Sequence, residues 1–370
     1  MVKLEKTKVL ICAGGTGGHI FPGLAIAEKL LDQKIKILWM GTKRGLEKQA
    51  LHNKSINLFF SEFKGVRGMG LWRLINFPFR LLVEVLNAFL FLLKQRPSYV
   101  VCCGGYLTVP FGLAAKILSI PFCIIEQNAV MGTANRVLQP FAKTIFLNFD
   151  ATTYSSYKAI PVGNPLRKEF EDLVTTPPAF SRNGEQLNIL VLGGSLGALF
   201  LNTRLPACFS LLQNENKKFF SIVHQVGNDN QNEVCELYKR LNVRAVVKPF
   251  IESISDQYQW ADLVISRSGA GIISELMAVG VASVLVPLPN AIDDHQKRNA
   301  SILEKSSAAK IIEQNTLFQT KLISFLCSIN REKLIDMAYK AKELARFNSA
   351  KIISDEVIKE LHAKIGRAHV

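Results

Sequence analysis

VLICAGGTGGHIFPG, residues 9–23, places four glycines around Thr16 and a single histidine, His19, just after them. Val9, Leu10 and Ile11 form a short apolar run, the pattern of a buried parallel strand. Beyond Pro22, the sequence GLAIAEKLL carries Leu24, Ile26, Ala27, Leu30 and Leu31 on a helical stripe. The glycines therefore belong to a strand-to-helix turn, with the helix expected after Pro22. Glycine permits positive φ and close approach of a ligand to the backbone. First-turn amides and the positive end of the helix dipole suit such a turn to an anion, phosphate being the usual guest. It is not a Walker A loop, because Gly18-His19-Ile20 stands where G-K-[ST] is needed. Nor is it the dinucleotide fingerprint, because Ile20 occupies the place of the third glycine. A tight turn without a ligand explains four glycines poorly and leaves His19 without a role.

The chain has 370 residues, enough for two ordinary domains. With 48% hydrophobic and 20% charged residues it reads as globular rather than disordered. The net charge of +15 favours nucleic acid, anionic lipid or a phosphorylated substrate. No recognised RNA- or DNA-binding motif accompanies it, which argues against nucleic acid as a partner. The seven cysteines form no C-x-x-C pair and no zinc spacing. Cys12, Cys102, Cys103 and Cys123 lie in or beside apolar strand patterns and read as core residues in a reducing compartment. No signal-peptide pattern opens the chain. No charge-free apolar run is long enough for a transmembrane helix.

Strands and helices alternate. Strand-like runs occur at 36–41, 99–105, 122–127 and 144–149, with helical patterns between them, one of them around Arg80–Gln95. This is the signature of a parallel sheet covered by helices. NILVLGGSLGALFLNTRLPA, 188–207, restates the opening design, with Gly193, Gly194, Ser195 and Gly197 echoing the first turn. Two Rossmann-like domains follow, their polar loops expected to face a common cleft. The join is expected near PVGNPLRKEF, 161–170, where two prolines and a glycine break the pattern. Ligands bind at the carboxyl ends of strands in such sheets. Gly104, Gly105 and Tyr106 end one strand, Glu126, Gln127 and Asn128 the next, and Arg267, Ser268 and Gly269 another in the second half.

In RSGAGIISELMAVG, 267–280, a helix is expected from about Ala270, with Glu275 early in it. A carboxylate there either simply favours the helix N-terminus or accepts hydrogen bonds from two ribose hydroxyls. Asp293, Asp294, His295, Gln296 and Asn299 crowd the next loop, as a cap with a solvated face or as a sugar site. Asp293 and Asp294 lack the company expected of a metal site, so no metal and no other cofactor is expected.

GGTGGHIFPGLAIA, CCGGYLTVPFGLAA, IIEQNAVMGTANR, VGNPLR, LGGSLGALFLN, SRSGAGIISELMAVG and DDHQKRNA occur in this order across some 290 residues. Together they closely resemble the MurG family of bacterial glycosyltransferases. The resemblance implies an α/β GT-B fold: an acceptor- and membrane-binding domain at 1–164 and a UDP-GlcNAc-binding domain at 165–349. A C-terminal helix at 350–370 is a candidate to pack back on the first domain. It implies inverting transfer of N-acetylglucosamine from UDP-GlcNAc to the C4 hydroxyl of lipid I, making lipid II for peptidoglycan. The rival readings are transfer to another lipid acceptor and a non-catalytic UDP-sugar-binding subunit. By the same resemblance Thr16, Gly17, Gly18 and His19 lie near the acceptor and donor phosphates, and Tyr106 on the acceptor side. Asn128 reaches the donor sugar, Arg167 and Ser195 lie by the UDP, and Ile251 holds uracil through its backbone. Ala270, Gly271, Ile272, Ile273, Ser274 and Glu275 bind diphosphate and ribose, and Gln296 holds the GlcNAc hydroxyls. The second glycine turn departs from the family in having Leu196 where glutamine is usual.

Helix N-termini and Arg167 can carry the charge developing on a UDP leaving group. His19 is the first candidate for the base that deprotonates the acceptor, since an unperturbed imidazole titrates at about 6.5. Glu126 is the second, or else a buried carboxylate that orients Asn128. A lipid acceptor requires contact with a membrane, expected on its cytoplasmic face and peripheral. Leu71, Trp72, Arg73, Ile75, Phe77, Phe79 and Arg80 mix apolar and basic groups as an anionic lipid surface requires. Residues 81–93 read mostly as a core helix. Other cell-wall synthesis proteins are further possible partners.

Overall fold

The structure, a computed structural model, describes residues 7–43, 45–63, 76–150, 158–180, 186–194, 197–214, 219–227 and 230–367. Ser195 and Leu196, and Leu71, Trp72, Arg73 and Ile75 of the basic–apolar stretch, lie outside the described residues. The chain divides into two compact units, Met1–Arg167 with Phe347–Val370, and Lys168–Arg346.

The first unit holds strands β1 (Lys8–Cys12), β2 (Lys36–Thr42), β3 (Ile56–Ser61), β4 (Tyr99–Cys102), β5 (Phe122–Glu126), β6 (Thr144–Leu147) and β7 (Ala159–Pro161). All pairings are parallel, in the order β3-β2-β1-β4-β5-β6-β7. These strands read as continuous apolar runs because helices cover both faces of the sheet. The second unit repeats the plan with β8 (Gln186–Leu192), β9 (Phe219–Gln225), β10 (Ala245–Lys248), β11 (Leu263–Ser266), β12 (Ala282–Leu285) and β13 (Ala309–Ile311). Their order is β10-β9-β8-β11-β12-β13, again all parallel.

In each unit the first strand sits where the strand order reverses, and ligand crevices form at such switch points. Cys12 is in register with both Met40 and Cys102, so the chain leaving β1 runs beside the chain leaving β4. Leu192 is in register with Gln225 and Ser266, which places the second glycine turn between the loops after β9 and β11. Cys12, Cys102, Cys103 and Cys123 are fully buried, and burial pushes the thiols of Cys12, Cys103 and Cys123 up, away from the reactive thiolate. The last helix, Ser349–Arg367, buries Ile353, Val357 and Leu361 in the core beneath the helix Gly17–Asp32. Ser349 Oγ donates to the Val162 carbonyl at 2.7 Å and fixes where that helix begins.

Two expectations need correction. The first helix begins at Gly17, not after Pro22, and Pro22 lies inside it. The amides of His19 and Ile20 both reach the Thr16 carbonyl, at 3.1 and 3.2 Å, so the helix is wound before the proline. Proline removes one helical N–H and crowds the carbonyl four residues back, a local cost that this largely buried helix sustains. The second concerns Phe77–Gln95, which is not mostly a core helix. Val85, Ala88 and Leu92 are buried, whereas Phe79, Leu82, Leu86, Leu90 and Leu93 are 47–70% exposed. At 3.6 residues per turn these two sets fall on opposite faces. An apolar periodicity that covers both faces looks, in sequence, like a buried helix.

Candidate active site

The four-glycine turn of the first unit is braced from behind. Trp39, fully buried on β2, donates its indole N–H to the Ala13 carbonyl at 2.9 Å. Glu47, also fully buried, accepts from Gly15 N at 3.1 Å, Thr42 N at 2.7 Å and Thr42 Oγ1 at 3.0 Å. A Cβ on Gly14 or Gly41 would lie 2.9 or 2.8 Å from the Glu47 side chain, so the glycines make its room. Glu47 turns the Gly15 amide inward, where φ is +89°. The amides of Gly17 and Gly18 open the helix, and a helix's first amides have no partner within it. Glu47 was missed in the sequence because it stands in a polar run, TKRGLEKQ, that reads as solvated.

His19 occupies the first turn of that helix, half-buried. Its ring lies on the backbone of Gly104 and Gly105, both at positive φ, +93° and +80°. A Cβ on Gly104 would come within 3.0 Å of His19 Cε1, and one on Gly105 within 3.6 Å of Cδ2. The glycines after β4 therefore leave the space that the imidazole fills. Gly104→Ala should lower stability by about 1–2 kcal/mol through the positive φ alone. It should also displace the imidazole and cut turnover by about 10- to 100-fold; thermal unfolding and kcat, measured together, check both.

Glu126 ends β5 at 3% exposure. Its Oε1 accepts from Asn128 N and Nδ2, at 3.0 and 3.3 Å; its Oε2 accepts from Gly132 N and Asn135 Nδ2, both at 2.8 Å. A carboxylate offers about four acceptor positions, and four donors converge on this one. Gln127 Nε2 donates to the Cys103 carbonyl at 2.8 Å, tying this loop to the Gly104–Gly105 turn. Tyr106 is exposed and packs edge-on against Phe63, centroids 6.0 Å apart. The Arg167 guanidinium lies 4.8 Å from the centre of the Phe21 ring, on the glycine-turn helix of the first unit.

In the second unit the helix Ala270–Val279 starts from Gly269 with no side-chain cap. The amides of Ala270, Gly271 and Ile272 open it. Ile273 is fully buried and Ser274 turns its hydroxyl back to the Ala270 carbonyl at 2.9 Å, so these two side chains serve the helix. Glu275 is half-buried and accepts from Tyr258 Oη at 3.0 Å. Ile251 is buried, and its amide donates to Gln225 Oε1 at 3.1 Å. Gln225 Nε2 reaches the Gly194 carbonyl at 3.2 Å, so one side chain links the Ile251 loop to the second glycine turn. Arg267, 8% exposed, donates to the carbonyls of Val286 and Pro287 and to Gln314 Oε1, and burial holds its affinity for a proton down. Gln296 Oε1 accepts from Leu288 N at 2.9 Å, and Asn299 Nδ2 donates to the Ser268 carbonyl at 3.2 Å. Asp293 and Asp294 are exposed and both left-handed, φ +51°, in a short 3₁₀ turn that ends at the helix His295–Lys305.

Two domains of Rossmann strand order, each with a glycine turn at its switch point, define the class by architecture: a GT-B fold. Residues 9–147 match the glycosyltransferase family 28 N-terminal domain and residues 188–362 the glycosyltransferase family 28 C-terminal domain. Curated relatives from Psychromonas ingrahamii and Saccharophagus degradans are each 40% identical, covering 95% of this chain and 98% and 92% of their own lengths. Both bear the name UDP-N-acetylglucosamine--N-acetylmuramyl-(pentapeptide) pyrophosphoryl-undecaprenol N-acetylglucosamine transferase. The crystal structure of Acinetobacter baumannii MurG superposes with a TM-score of 0.78 at 34% identity, covering 95% of this chain and 99% of that one. The chain belongs to the MurG family of glycosyltransferases.

Proposed function

We propose that this chain transfers N-acetylglucosamine from UDP-GlcNAc to the C4 hydroxyl of lipid I, with inversion at the anomeric carbon. Full-length likeness to relatives bearing that name supports the substrates. The observation that carries the chemistry is the His19 imidazole laid on a bare Gly104–Gly105 backbone at the switch point of the first unit. The first domain takes the acceptor and the second the donor. As the acceptor oxygen bonds to the anomeric carbon, the bond from that carbon to the diphosphate oxygen breaks and UDP leaves with the electron pair. His19 takes the acceptor proton. The amides of Ala270, Gly271 and Ile272, with Arg167, stabilise the charge on the departing diphosphate. Glu275 accepts from the ribose diol, Ile251 meets uracil, and Gln296 and Asn128 hold the sugar. Glu126, with its four donors, serves as the anchor of Asn128 rather than as the base. Thr16, Gly17 and Gly18 receive phosphate oxygens, and Tyr106 meets the acceptor.

Transfer of radiolabelled GlcNAc to a lipid I analogue, with EDTA present, tests this. Turnover would support both the acceptor and a reaction without a divalent metal. UDP-GlcNAc bound but not transferred would rule out lipid I and point to another lipid acceptor.

The membrane is met by the exposed face of Phe77–Gln95. Phe79, Leu82, Leu86, Leu90 and Leu93 form one stripe, with exposed Arg80 beside it. No helix among the described residues is long and apolar enough to cross a membrane. Such a face lies in the plane of the lipid interface, on the cytoplasmic side where the nucleotide sugar is found, and basic groups favour anionic headgroups. Leu86→Asp with Leu90→Asp should weaken binding to anionic vesicles by about 10- to 100-fold, from the lost apolar area. Turnover of a detergent-free, water-soluble acceptor should be unchanged; sedimentation with vesicles and a solution assay measure the two effects.

A further inference from the structure

We infer that Tyr258 is a positioning residue that sets the preference for a ribonucleotide over a deoxyribonucleotide diphosphate, by holding Glu275 in place. This rests on the reading of Glu275 as the acceptor for the ribose diol. Tyr258 lies on the helix Ile254–Trp260, which begins three residues beyond Ile251. Its side chain is fully buried and meets Phe170, itself fully buried, edge to face at 5.6 Å and 78°. A ring clamped this way delivers its hydroxyl to one fixed point. That point is Glu275 Oε2, 3.0 Å away on the neighbouring helix Ala270–Val279. Filling the core requires only the ring, and phenylalanine would do so. The hydroxyl instead makes a charge-assisted hydrogen bond, the stronger kind, to a carboxylate. A carboxylate has about four acceptor positions, so one bond from a rigid phenol orients it without using it up. The same short helix thereby carries both the loop of Ile251 and the support of Glu275, coupling base and ribose recognition.

The test measures binding of UDP and dUDP by calorimetry to the full chain, to Tyr258→Phe and to Glu275→Ala. Wild type should bind UDP about tenfold more tightly than dUDP, as expected when a polar site loses one of its hydroxyl partners. In Tyr258→Phe the ring and its packing remain, so thermal unfolding should change little. UDP affinity should fall about fivefold and dUDP affinity less than twofold, narrowing the gap to about two- to fourfold. Glu275→Ala should erase the gap. If Glu275→Ala erases it while Tyr258→Phe keeps the full wild-type gap, the positioning role of Tyr258 is overturned. If wild type shows no gap, or Glu275→Ala preserves it, the ribose reading of Glu275 itself fails, and the role of Tyr258 with it.

Discussion

His19→Ala should reduce GlcNAc transfer by about 10²- to 10⁴-fold, the usual contribution of a positioned general base. Affinity for UDP should stay within about twofold, because none of the contacts proposed for uracil, ribose or diphosphate is made by the His19 side chain. The space supports the size of the effect: the ring is seated on two glycines whose missing side chains it replaces, at 3.0 and 3.6 Å from where their Cβ atoms would stand. Alanine leaves that space to water, and water has no fixed orientation toward the acceptor hydroxyl. The residual activity should lack the acid limb of the wild-type kcat/KM profile, where an imidazole base takes up its own proton. A loss of less than about tenfold with that limb intact would exclude His19 as the base.

The second large effect falls on stability. Glu126→Ala removes the single acceptor group shared by Asn128 N, Asn128 Nδ2, Gly132 N and Asn135 Nδ2. Leaving several donors unsatisfied around a buried site costs about 3–5 kcal/mol. In a unit of this size the unfolding temperature should fall by roughly 6–20 °C. Glu126→Gln should recover only part of this, because its amide nitrogen must face donors on one side. In variants folded at low temperature, KM for the donor should rise more than kcat falls, since Asn128 has lost its anchor. The acid limb of the pH profile should persist in Glu126→Gln. Its disappearance there, with His19→Ala nearly active, would reverse the two roles.

Much of this was legible in the sequence because the controlling demands are local. A parallel strand covered on both faces is apolar along its length, and β4 and β5 are buried at every position, with Glu126, the last residue of β5, their one charged residue. Positive φ after β1, β4 and β8 falls on Gly15, Gly104 and Gly194, each visible as a glycine pair. What escaped depends on residues far apart in the chain. Glu47 meets Gly15 across 32 residues, Gln225 meets Ile251 across 26, and Tyr258 meets Glu275 across 17. Each partner alone is an ordinary polar residue in an ordinary segment. The start of the first helix was misjudged for a local reason: Pro22 reads as a boundary, whereas a helix already hydrogen-bonded from Thr16 accommodates it. The Phe77–Gln95 helix was misjudged because hydrophobicity reports that a face avoids water, not what covers it.

By itself the sequence determined the alternation of strands and helices, the glycine turns and the order of motifs that marks the family. These follow from backbone sterics and side-chain period, which act within a few residues. Only the tertiary structure decided that Ser349–Arg367 lies against the helix Gly17–Asp32, that His19 rests on Gly104 and Gly105, and that Glu126 gathers four donors. Those outcomes are contacts between surfaces built by separate elements. Close packing and the cost of an unsatisfied buried polar group select them only once the sheet has set which loops are neighbours.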